Sequence, residues 1–251
     1  MDEADSATVR VVTWNVQGSA GLDVSRVAAV VAASGADLVA LQEVQRRQAA
    51  ALAGALSMSS TTWVFKHWPV VTRAEGLAVL TGHRIVASSS FVLRRRPFWD
   101  WRRRVGLHAI VDLGGHAVGV VDVHLSPHDE IVRRADEARV SAAHAGDRSF
   151  VVGDFNDVPD RGAHAALIAA GWVDCWRDAN AAGTDDGWTN WTGGSRVGRP
   201  PSQRLDYIFA PPGSHVEACA VLAGADRYDD FAGLSDHLPV AATVRLAGGD
   251  H

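Results

Sequence analysis

Short apolar runs of β type that break off into polar residues constrain this chain more than any other feature. The clearest is Phe150-Val151-Val152, a short buried strand that Gly153 breaks before Asp154-Phe155-Asn156. In extended chain Asp154 and Asn156 point to the same side. A carboxylate beside an amide suits the activation of water, because one takes the proton while the other holds the molecule. A strand closed by a capped turn carries the same residue types, so this run alone leaves both readings open. Similar breaks recur at Trp14-Asn15, Gln42-Glu43, His124, Arg204-Leu205-Asp206 and Ser235-Asp236-His237. Each follows or interrupts an apolar run where a buried strand would stay apolar.

Between these breaks the chain reads as mixed α and β. Residues 9–16 form a strand ending near Asn15, and residues 23–33 carry Val24, Val27, Val30 and Val31 at helical spacing, with Gly35 as the stop. Residues 36–41 are a second strand that delivers Glu43, and the alanine-rich residues 45–56 a second helix. This alternation predicts a mixed sheet with helices packed outside. Short strands follow at 63–66, 76–80, 85–92, 105–113 and 117–123, the last two joined by a hairpin at Gly114-Gly115. Residues 129–145 read as a helix with Ile131, Ala135, Ala138 and Ala142 on one side and arginines on the other, a crossover from His124 to the Asp154 strand. A short helix at 163–170 and strands at 205–210, 216–222 and 238–246 complete the chain. With no linker, repeat or low-complexity block, residues 9–247 read as one domain behind a disordered or extended segment, 1–8.

The chain has 24 Lys and Arg against 29 Asp and Glu, a net charge of −5, so any nucleic-acid surface has to be a local patch. One such patch is residues 94–104, with six arginines and three aromatic residues against one aspartate. A phosphate backbone is attracted to such a segment and unpaired bases stack on its rings. A solvated hairpin with arginines lying over tryptophan faces is the alternative. Residues 180–203 form a long polar loop whose tryptophans either line a cleft or pin the loop. Cys175 and Cys219 are too few for a disulfide scaffold and too distant for a zinc motif, and read as buried thiols in a reducing compartment. The acidic start lacks the plan of a secretory signal and no apolar run reaches membrane-spanning length, so a cytoplasmic protein is expected. The sequence does not fix an oligomeric state, and monomer is the default.

Taken together and in this order, the polar clusters resemble the endonuclease/exonuclease/phosphatase family of metal-dependent phosphate-ester hydrolases, over residues 11–244. The resemblance implies an α+β fold, a four-layer α/β/β/α sandwich of two packed mixed sheets flanked by helices. The oxygen-rich set of Asn15, Glu43, Asp154, Asn156, Asp206 and Asp236 suits a hard ion, Mg²⁺ or Mn²⁺. By resemblance Glu43, helped by Asn15 and with Asp236 nearby, is the metal ligand. Asp154 deprotonates or aligns the attacking water, and Asn156 orients it and contacts the phosphate. His237 bonds the scissile phosphate and is held by Asp206, while His124 donates to a phosphate oxygen or the leaving group. A histidine at position 124, where some abasic-site enzymes of the family carry tyrosine, argues against a dedicated abasic endonuclease. His128 reads as an ordinary exposed side chain. Arg102, Arg104, Trp188 and Asn190 are candidate substrate contacts. The expected activity is a phosphodiesterase or nuclease acting on nucleic acid. The alternatives are hydrolysis of lipid or inositol head groups, or a non-catalytic binding module of the same fold.

Overall fold

The protein is described here from a computed structural model covering residues 7–68, 74–93, 103–127, 131–181, 183, 186–192, 196–222, 228–231 and 233–247. In chain order the elements are β1 (Thr8–Asn15), α1 (Val24–Ser34), β2 (Leu38–Gln45), α2 (Arg46–Ala55), β3 (Ser60–Phe65), β4 (His67–Trp68), β5 (Glu75–Thr81), β6 (Arg84–Val92) and β7 (Arg103–Leu113). They continue with β8 (His116–His124), α3 (Ile131–His144), β9 (Ser149–Asp154), α4 (Gly162–Ala169), β10 (Val173–Asp174), α5 (Cys175–Ala179), β11 (Asp206–Ala210), β12 (His215–Val221) and β13 (Val240–Arg245). One sheet runs β12-β13-β1-β2-β5-β3 and the other β10-β11-β9-β8-β7-β4, with β6 also paired to β7. The β1–β2 and β8–β9 pairs are parallel and the other pairs antiparallel, so both sheets are mixed.

Residue alternation builds the layers. Val9 and Val11 of β1, Leu38 and Ala40 of β2, Val118 and Val120 of β8, and Phe150 and Val152 of β9 fill one core between the sheets. Their neighbours point outward, Val12, Val39 and Leu41 onto Val27 and Val31 of α1 and Leu52 of α2. On the other side Val121, Val123 and Val151 meet Ala138 of α3 and Leu167 of α4. The chain is therefore the expected four-layer sandwich, two mixed sheets between helices. The first helix has its expected ends: Asp23 accepts the Arg26 N–H at 3.1 Å, and Gly35 closes it at φ 62°. No helix among the described residues is long and apolar enough to cross a membrane.

Three expectations are corrected. Gly153 does not break its strand: β9 continues to Asp154, and Gly153 sits inside it at φ 134°, where a Cβ would collide with the Val123 carbonyl of the parallel neighbour. The third helix is described from Ile131, residues 128–130 (with His128) lying outside the described set; Ala135 and Ala138 are buried on the expected face, but that face is not purely apolar. Ile131 is exposed, whereas Arg134 and Glu137 are buried. Arg134 pairs with Asp157 at 3.2 Å, and Glu137 accepts the Ser126 N–H at 2.9 Å and the Ser126 hydroxyl at 2.7 Å. They thus tie down the segments that leave β8 and β9. Finally, β10 and α5 occupy a stretch with no predicted element. Asp174 there caps α5 and is gripped by Arg204 through two bonds of 2.9 and 2.7 Å and by His164 at 3.0 Å. Burial pushes the Asp174 carboxyl up, but His164 and Arg204 outweigh it and hold it down at about 2. That pairing anchors the chain two residues ahead of Asp206.

Candidate active site

The inward-facing stripes turn polar at one end of the sandwich. Val9 and Val11 are followed by Thr13 and Asn15, Val118 and Val120 by Asp122 and His124, and Phe150 and Val152 by Asp154. Ile208 is preceded by Asp206, which pairs with Asp154 across β9 and β11. All of these polar residues are buried. In the lower layer the Gln42 amide donates to Thr13 Oγ1 at 2.9 Å and to Asp122 Oδ1 at 2.7 Å, bolting the two sheets together. Burial raises the Asp122 carboxyl well above its usual range, against the hydrogen bonds from Gln42 and two backbone amides. A carboxyl raised in the fold binds its proton more tightly there than in the unfolded chain, so stability falls as pH rises above the unfolded value of 3.8. Asp122→Asn, which never ionises, is expected to melt at or above the wild-type temperature at pH 8 and to lose less between pH 5 and 8. Circular-dichroism melts across that range check it.

The upper layer holds the reactive groups. Asp154 Oδ2 receives the Asn15 amide N–H at 3.0 Å, with His124 Nε2 at 3.5 Å and His237 Nε2 at 3.7 Å. Its other oxygen accepts the Asn156 N–H at 2.9 Å. Burial raises the Asp154 carboxyl; His237 lowers it, Asp206 raises it again, and Asn15 and the Asn156 N–H oppose. His237 Nδ1 lies 2.7 Å from Asp206 Oδ2. Burial pulls the ring down, but the charges of Asp206 and Asp154 and the bond to Asp206 outweigh it and push it up to about 10. Asn190 Nδ2 stands 2.9 Å from Nε2 and 3.2 Å from the Asp236 carbonyl, an orientation suited to a neutral ring. The charges of Asp206 and Asp154 outweigh that single contact and favour the imidazolium.

Glu43 arrives differently. By alternation Gln42 takes the inward position of β2, but the register shifts between Gln42 and Val44, and Glu43 adopts φ 57°. This bulge re-aims its carboxylate to the site, 3.6 Å from His124 Nδ1. Asn156 also lies at positive φ, 49°, and gives its amide N–H to the Leu125 carbonyl at 2.9 Å, so it is not the extended neighbour of Asp154 that sequence suggested. Asp236 accepts the Gln17 amide at 3.1 Å. Ser235 donates to the Asn15 carbonyl at 2.6 Å and Trp14 to the His237 carbonyl at 2.9 Å, drawing residues 235–237 against the end of β1.

Residues 12–237 match a family model described as the Endonuclease/Exonuclease/phosphatase family. The chain belongs to that family. Among solved structures, an endonuclease/exonuclease/phosphatase from Beutenbergia cavernae is 27% identical over 96% of this chain and 72% of its own, with a TM-score of 0.71. One from Bacteroides vulgatus is 22% identical over 96% and 100%, at 0.77. D. rerio TDP2 complexed with a single strand DNA product shares the fold at 20% identity, 95% and 99% coverage and 0.65. A search of curated proteins gave no match.

Among the described residues, two places in this family member could take a hard ion. Asp154, Asp206 and His237 each offer an atom within 4.8 Å of the others, and Asp206 Oδ1 is buried with no hydrogen-bond partner. Yet the protonated ring already offsets one of that trio's two negative charges. Glu43 fits better: its carboxylate is largely buried and raised by that burial, and the cation that counters it is Lys66, at 2.6 Å. Glu43, with Asn15 and Asp236, offers oxygen donors of the kind that Mg²⁺ or Mn²⁺ takes.

Of the proposed substrate contacts, Arg102 lies outside the described residues, as do residues 94–101. Arg104 donates to the His124 carbonyl at 2.8 Å, and Asn190 meets His237. The tryptophans of the long loop divide. Trp191 is buried and bonds the Arg199 carbonyl at 2.7 Å, pinning the loop. Trp188 is 40% exposed and lines a cavity of about 450 Å³ with Trp176 and Tyr228, a lining that includes none of the catalytic candidates. Cys175 and Cys219 are both buried and free. Sequence reading missed Gln17, Lys66, Glu75 and Asp122. Only Asp122 left a signal, a lone acid inside Val120-Val121-Asp122-Val123 at the parity of His124.

Proposed function

We propose that this chain is a divalent-metal-dependent phosphodiesterase acting on nucleic acid, with residues 9–247 as its catalytic domain. The observation that carries the reading is Asp154 Oδ2, a buried carboxylate oxygen surrounded by the Asn15 amide and two histidine rings from three other segments. A phosphate diester resists attack because its charge repels the nucleophile and its alkoxide leaves poorly. Asp154 takes the proton of the attacking water, Asn15 fixes its carboxylate, and Asn156 helps orient the water. The His237 imidazolium, held by Asp206, donates to a non-bridging phosphate oxygen, and His124 donates toward the leaving oxygen. A divalent ion, Mg²⁺ or Mn²⁺, held by Glu43 with Asn15 and Asp236, would supply neutralisation of the phosphate charge.

The choice of nucleic acid is supported by the arginine- and aromatic-rich residues 94–104, whose last arginine bonds the carbonyl of His124. The test is a panel of duplex DNA, single strands, RNA, nucleotides and phosphoinositides, assayed with Mg²⁺ and with chelator. Metal-dependent cleavage of nucleic acid, weakened when the six arginines become serine, is expected. Turnover confined to phosphoinositides would overturn the nucleic-acid assignment.

A further inference from the structure

Lys66 follows β3, and its N–H bonds the Glu75 carbonyl at 3.2 Å. Its side chain is 13% exposed, and Nζ lies 2.6 Å from Glu43 Oε1 and 2.6 Å from Glu75 Oε2. Glu75 is fixed from the other side too, because its Oε1 accepts the Ser19 N–H at 3.1 Å. Ser19 belongs to the turn just after Asn15 and Gln17, a turn that Gln48 holds through the Gly18 carbonyl at 2.8 Å. Glu75 is therefore a rigid carboxylate at the rim of the site, and Glu43 shares its cation. Nothing in the proposed chemistry uses either Lys66 or Glu75.

The ammonium sits on Glu43 Oε1, and an ion held by that carboxylate would meet it at short range. A unit positive charge and a divalent ion on one carboxylate oxygen repel each other strongly at short range. Lysine has a flexible four-carbon stem and rotatable donors, so it can leave one partner and keep another. Glu75 is already in its grasp. We propose that Lys66 stands in for the divalent ion at Glu43, competes with it for that carboxylate, and is handed to Glu75 when the ion binds. The inference rests on Glu43 being the metal ligand of the proposed function. Lys66 and Glu75 are then positioning residues that set how tightly the site takes metal.

Calorimetric titration of the metal-free protein with Mn²⁺ at pH 8 tests this without any substrate. Lys66→Met is expected to bind on the order of tenfold more tightly, since the competitor is gone. Glu75→Gln is expected to bind several-fold more weakly, because the ammonium then has only Glu43 to hold. A simple change in local field would give the same two signs, so the double variant decides. If Glu75 acts only through Lys66, Glu75→Gln in the Lys66→Met background should shift the dissociation constant by less than about twofold. Additive effects, or Lys66→Met binding no more tightly than wild type, would overturn the handover. Lys66→Gln, nearer in polarity, must shift the same way and replaces Lys66→Met if that variant does not fold. Wild type binding no Mn²⁺, or Glu43→Gln binding as well as wild type, would remove the metal assignment itself. That result is separable from failure of the handover alone.

Discussion

Asp154→Asn is expected to lower kcat by about three orders of magnitude while leaving the fold in place. The amide keeps the size of the side chain, and its oxygen can still accept the Asn156 N–H that Oδ1 now takes at 2.9 Å. What it loses is the ability to take a proton from water at the buried point where the Asn15 amide and two histidine rings meet. The new NH2 faces the Asn15 donor that Oδ2 now accepts, so a modest loss of melting temperature without unfolding is expected. Steady-state rates on a simple phosphodiester, beside a melt of the same preparation, check both halves. A variant within tenfold of wild-type kcat would remove Asp154 from the role of base.

Glu43→Gln should act on metal rather than on the proton. Replacing an anionic ligand with a neutral one of equal size is expected to raise the half-saturating Mg²⁺ concentration on the order of a hundredfold. Turnover at saturating metal should fall far less than in Asp154→Asn, because Asn15, Asp154 and both histidines stay where they are. The check is rate against Mg²⁺ concentration. An unchanged half-saturation point would show that the ion is held elsewhere, with the buried trio of Asp154, Asp206 and His237 as the next candidate. The contrast between the two variants separates ligand from base, which neither could do alone.

The four-layer sandwich was legible through the family resemblance, while the residue pattern by itself said only mixed α and β with many short strands. What the pattern did mark was where apolar runs break into polar residues, as at Asn15, His124 and Asp154. Backbone exceptions were not legible. Period-two reading sends Glu43 to the wrong face, and only a bulge with positive φ returns it. Gly153 looked like a terminator, whereas its lack of a side chain lets the parallel strand pass close by. Asn156 looked extended and is left-handed. Buried charges were hidden for a different reason. Arg134 and Glu137 on α3 are inside because partners on other segments satisfy them, and partners distant in sequence leave no local trace. The same holds for Lys66 and Glu75, which look like surface charges until Glu43 is brought beside them.

Convergence of those stripe ends into one metal-using hydrolytic centre is most directly tested by a single assay. Purified protein is stripped of metal and given bis(p-nitrophenyl) phosphate, first with chelator and then with excess Mg²⁺. Release of nitrophenol only after the ion is added, and its loss when the chelator returns, is the expected result. Release that ignores the chelator, or none with either Mg²⁺ or Mn²⁺, would contradict it.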